Sequence, residues 1–75
     1  MGNLNAIKIR VTESNKMHTH LSVFESRNGG DQWMLCGNLI CDPNIAALFK
    51  DVMFRGRGRW DLYWEEEGEV KSATS

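Results

Sequence analysis

Cysteine is scarce: Cys36 and Cys41 are the only two in 75 residues. That is too few for a disulfide scaffold and gives no sign of an oxidising compartment, so reduced thiols are expected. No apolar run approaches the ~18 residues needed to cross a bilayer. The N-terminus lacks the basic segment and apolar stretch of a secretory signal. Gly2 hints at lipidation, but Ala6 stands where a myristoylation signal wants Ser or Thr. A cytoplasmic protein without membrane attachment is expected.

An excess of charge of either sign is missing as well. Nine Lys and Arg face ten Asp and Glu, so the molecule as a whole favours neither polyanions nor polycations. No Gly-rich phosphate loop of known pattern and no internal repeat is found. A nucleophile, base and acid can be picked out, for example Cys41, His20 and Asp42, but no spacing gives them a mechanical rationale. A one-core chain also has little room for a ligand pocket of about 300 Å³ or more. Neither an enzyme nor a bound cofactor is expected.

What is present is enough to fold. The apolar share is 41% and the charged share 25%, ordinary for a globular chain and unlike a disordered one. A domain of this length buries only about 60% of the surface its unfolded chain exposes. Such a core rarely supplies more than roughly 3 to 5 kcal/mol, so a metal, a partner or a second copy would each add usefully.

Period-two alternation marks the strands. Ile7, Ile9 and Val11 alternate with Lys8, Arg10 and Thr12 between Asn5 and Thr12. From His18, Leu21 and Val23 share a face opposite His18, His20, Ser22 and Phe24. Asn28, Gly29, Gly30 and Asp31 tolerate positive φ, so Ser26 to Asp31 should close a hairpin into a third strand, Gln32 to Ile40, which Gly37 and Asn38 interrupt. Asp42 followed by Pro43 is a helix start. Ile45, Leu48, Phe49, Val52 and Met53 recur at helical spacing as one apolar stripe, expected to cover a sheet face. Gly56, just past Arg55, fits a left-handed cap position. Trp60, Leu62 and Trp64 then share one face of a final strand.

The expected fold is therefore a small single α+β domain over residues 1–65. An antiparallel sheet of three to four strands, in the order β-β-β-α-β, carries one helix packed on one face. Residues 66–75 are expected to form an acidic, loosely ordered tail. Residues 1–64 hold eight basic and six acidic side chains, whereas Glu65, Glu66, Glu67 and Glu69 are opposed beyond them by Lys71 alone. The uncovered sheet face would carry His18, His20, Phe24, Lys8 and Arg10.

Three constellations suggest chemistry. Arg55, Arg57 and Arg59 alternate with Gly56 and Gly58 ahead of Trp60, Tyr63 and Trp64. With Lys8 and Arg10, these arginines could reach phosphates while the aromatic rings stack on bases. A blander account puts Arg55 against the last carbonyls of a helix and the Trp rings in the core. His18, His20, Cys36 and Cys41 are four possible zinc ligands, but four residues between the cysteines is the loose end of knuckle spacing. As small buried hydrophobes and surface histidines they need no metal. The third constellation is a protein-binding surface: Phe24 and Tyr63 as exposed rings, with Glu65, Glu66, Glu67 and Glu69 as an acidic run that could imitate phosphates in a basic groove.

The leading expectation is a non-enzymatic regulator or inhibitor that binds a larger protein, one that handles nucleic acid. Small phage-encoded regulators of host enzymes are of this size. Direct nucleic-acid binding through the Arg55–Arg59 loop is the alternative, and a zinc-stapled domain the second. A homodimer is compatible with all three, because sheet edges and surplus aromatics suit self-association.

Overall fold

The computed structural model describes residues 4–56 and 60–73. The elements among them are β1 (Ala6–Ser14), β2 (Thr19–Ser26), β3 (Met34–Cys41), α1 (Pro43–Arg55), β4 (Asp61–Glu66) and β5 (Glu69–Ala73). They form an α+β fold with one helix and one mixed sheet, ordered β3-β2-β1-β4-β5.

The first three strands follow their local chemistry. Between β1 and β2, the side-chain oxygen of Asn15 accepts hydrogen bonds from the backbone N–H of Met17 at 2.8 Å and of His18 at 3.0 Å. That pattern substitutes for a backbone turn. Between β2 and β3, the buried Ser26 hydroxyl accepts from Gly30 N–H at 2.9 Å and donates to Asn28 Oδ1 at 2.9 Å. Gly29 and Gly30 lie at φ 75° and 95°, where a Cβ would be strained. β3 is not broken at Gly37 and Asn38. Instead Val23 pairs with Gly37 and Phe24 with Leu35, so Cys36 is the extra residue of a bulge.

The sheet departs from the antiparallel arrangement of three to four strands. α1 carries the chain back along the sheet, so β4 enters in the same direction as β3. β1 and β3 are both antiparallel to β2 and hence parallel to each other. β4 joins the free edge of β1, in parallel, with Ile7 beside Leu62 and Ile9 beside Trp64. That edge offers a long apolar row, whereas the outer edge of β3 is bulged at Cys36.

A fifth strand lies in the stretch expected as a loose tail. Glu67 and Gly68 have φ of 52° and 82°, the double positive φ of a tight hairpin turn. They return β5 onto β4, with Tyr63 opposite Ser72 and Trp64 opposite Lys71.

Asp42 caps α1 as its sequence suggests: its side chain accepts from Asn44 N–H at 2.8 Å and its carbonyl from Ala46 N–H at 2.9 Å. Gly56 ends the helix by donating its N–H to Val52 O at 3.0 Å, but at φ −106° it is not left-handed. The core is small. Ile9, Leu21 and Trp64 form its buried centre, ringed by Ile7, Val11, Val23, Leu39, Cys41, Met53 and Phe54. Leu62 and Trp64 are both buried, and Trp60 is half-buried.

The helix does not cover the sheet with its apolar stripe. Ala46 is its one buried residue among those described. Pro43, Ala46 and Lys50 line the side that meets Val11, Thr19 and Trp64, and Met53 and Phe54 reach the core below. Relative to the Ile45, Leu48, Phe49, Val52 stripe, α1 is thus turned by about two-fifths of a revolution, at 100° per residue. Trp64 lies beneath this side of the helix, with Lys50 Nζ 5.5 Å from the indole centroid and Phe49 flanking it at 6.5 Å, and a cleft of about 240 Å³ remains between Ala46, Thr19 and the indole.

Candidate binding face

The side of the sheet away from α1 is built by alternation. In β1, Lys8 and Arg10 point opposite to Ile7, Ile9 and Val11. The register then places Phe24 of β2 and Tyr63 of β4 on either side of Lys8, and Ser22 and Glu65 on either side of Arg10. His20 follows on the same face, opposite Ile40. The face expected to be open, with His18, His20, Phe24, Lys8 and Arg10, is the one the helix leaves bare; the register places Lys8, Arg10, Phe24 and His20 on it, while His18 lies just before β2 with its ring 4.9 Å from that of His20.

Its side chains are mutually fixed. Lys8 Nζ sits 4.5 Å from the Trp33 ring centroid and 6.0 Å from that of Phe24. Arg10 lies 4.9 Å from the Phe24 centroid and donates from Nε to Glu65 Oε2 at 3.1 Å. Trp33 meets Tyr63 edge-on, with centroids 5.8 Å apart and planes at 86°. Each cation therefore lies near an aromatic face, and each ring is held by a neighbour. All three rings are partly exposed. A shallow depression of about 610 Å³ adjoins the cluster at the β2–β3 hairpin, lined by Glu25, Arg27, Asn28, Gln32, Trp33 and Met34. Its charges are matched, since Arg27 Nε donates to Glu25 Oε1 at 2.8 Å.

The sequence candidates divide across the molecule. Phe24, Tyr63 and Glu65 come together on this face, joined by Lys8 and Arg10. Glu66 turns to the helix side, where its carboxylate accepts from the Trp64 indole N–H at 3.1 Å; Glu67 occupies the exposed β4–β5 turn, and Glu69 opens β5 as the ladder partner of Glu66. The acidic run is thus not one patch. Arg55 lies on the helix, paired with Asp51 at 3.0 Å, on the opposite side of the sheet from Lys8 and Arg10. Arg57 and Arg59 lie outside the described residues.

The four metal candidates do not converge. The rings of His18 and His20 are 4.9 Å apart, but Cys41 pairs with Thr19 on the helix side and Cys36 protrudes at the bulge beside Glu25. Among the described residues no group of three His, Cys, Asp or Glu is placed to hold a metal. No described helix is long and apolar enough to cross a membrane.

Trp33 is the member of the face that alternation does not reveal. It lies before β3, outside the ladder, and reaches the face because the hairpin turns back over the sheet. The Gly29-Gly30 pair is the available signal: an added Cβ at Gly30 would lie 3.5 Å from the Trp33 ring.

Comparison with protein-family models, curated proteins and solved structures gives no match.

Proposed function

We propose that this chain is a non-enzymatic protein-binding module that regulates a larger protein by docking through the open sheet face. The observation that carries this is the interlocked set of Lys8, Arg10, Phe24, Trp33, Tyr63 and Glu65 on one face. Partly exposed rings fixed by their neighbours lose little side-chain entropy when covered, which is the property of interface anchors. The partner we favour is a component of nucleic-acid-handling machinery, because Glu66, Glu67 and Glu69, gathered on the helix side at the β4–β5 end of the sheet, would meet the basic rim of a groove that otherwise holds phosphates. Arg10 is already matched by Glu65, so the face offers few unengaged cations to a bare phosphate backbone.

The test is affinity capture from the native source with and without nuclease, using the wild-type chain and the Tyr63→Ala and Phe24→Ala variants. The expected result is a stoichiometric protein that survives nuclease and is lost, by at least about tenfold, in either variant. Equal retention by both variants would sink the face as the docking surface.

Three rings beside two cations also fit a single-stranded nucleic acid stacking on the sheet. That second function predicts oligonucleotide binding that falls steeply with salt. No binding at low salt rejects it.

A further inference from the structure

The apolar stripe of α1 is a contiguous exposed hydrophobic feature that the sheet face does not explain. Ile45, Leu48, Phe49 and Val52 are exposed by 54, 57, 38 and 60%. Together with Met53 they line an open groove of about 510 Å³ that is almost wholly apolar. About half of four large apolar side chains amounts to some 350 Å² of surface, the size at which a patch marks an interaction site.

We propose that this stripe is the interface of a homodimer, in which α1 packs antiparallel on α1 of a second copy about a twofold axis. The first support is the symmetry of the stripe. In a twofold contact, residue i meets j and j meets i. With the axis between positions 48 and 49, Ile45 faces Val52 of the second copy and Leu48 faces its Phe49, so each exposed apolar side chain meets another.

Charge is the second support. A surface with net charge repels its own image, and this stripe carries none. Asp51 and Arg55 on the bordering flank neutralise each other at 3.0 Å, and Lys50 is turned away toward Trp64, Glu66, Glu67 and Glu69. Area is the third. Two patches contribute roughly 700 Å² of apolar surface before any bordering side chain is counted, which places the contact in the small, weakly associating class of interfaces. It would also add a second layer to a core centred on only three buried side chains.

Sedimentation equilibrium from about 1 to 100 µM, a range bracketing micromolar dissociation constants, tests the proposal on the wild-type chain and two variants. Leu48 on the stripe and Val70 on β5 are equally exposed, at 57% each, so both glutamates enter solvent-facing positions; Val70→Glu also meets Glu65 across the ladder, which makes it the more demanding control for folding. The wild type and Val70→Glu should approach twice the 8.6 kDa chain mass, while Leu48→Glu stays at that mass with an unchanged far-ultraviolet spectrum. Should Leu48→Glu fail to fold, Val52→Asp reads the same contact. A wild type of 8.6 kDa throughout, or a folded stripe variant that still dimerises, overturns the proposal. Tyr63→Ala should leave the mass unchanged, which separates this interface from the sheet face.

Discussion

Single residues carry unequal shares of this small fold. Trp64 is 3% exposed, packs beneath the helix and donates its indole N–H to Glu66. Trp64→Ala should cost about 3–5 kcal/mol, comparable to the whole stability of such a domain, so urea titration should find the variant unfolded or nearly so. Asp42→Ala removes the cap on Asn44 and should cost about 1 kcal/mol, read as a lower urea midpoint at unchanged slope. Glu67 should respond in the opposite direction. It sits at φ 52°, a region Asn tolerates better than Glu, and its carboxylate shares the helix side with those of Glu66 and Glu69. Glu67→Asn should raise stability by roughly 0.5–1 kcal/mol; a lowered midpoint would argue against the turn. Asp42 was legible because a cap is a local event. Trp33 was not, because its place on the binding face depends on how a glycine-rich hairpin folds over strands distant in sequence.

At the scale of elements, the helix is well capped but weakly anchored. Only Ala46 is buried along α1, whereas β1 has Ala6 and Ile9 at 1% exposure and neighbours on both sides. Amide hydrogen exchange should therefore be faster in the middle of α1 than in the middle of β1; equal protection would mean that the helix is covered. The raised concentrations that favour the proposed dimer should narrow the gap. The alternation of β1, β2 and β4 and the Asp42–Pro43 start gave these elements away in advance. β5 stayed hidden because Glu69, Val70, Lys71, Ser72 and Ala73 include one strongly β-favouring residue, and what holds them is the turn at Glu67-Gly68 and the ladder of β4. The orientation of α1 stayed hidden for another reason. Periodicity shows that a helix has an apolar side, whereas which side meets the sheet depends on packing against residues distant in sequence, Trp64 among them.

At the scale of the molecule, the mixed sheet separates two surfaces, the interlocked rings on one side and the helix stripe on the other. A dimer through α1 would leave both ring faces outward. A partner with two sites, or one immobilised at high density, should then retain the wild type better than Leu48→Glu, while a single free site would not distinguish them. Strand order was the part of the architecture that local pattern could not supply, since the choice of the β1 edge for β4 depends on contacts between opposite ends of the chain. That choice also governs how the chain assembles. β1 meets β4 in a register that joins Ala6 to Asp61, so the centre of the sheet waits on closure of a loop spanning most of the sequence. The β1-β2-β3 meander can form early from near neighbours, and the slow event should be the arrival of β4. Leu21→Ala should then slow refolding, whereas Trp64→Phe should mainly hasten unfolding. During synthesis, β1 must hold an unpaired apolar edge until β4 has left the ribosome, which makes that interval the time of greatest exposure to aggregation.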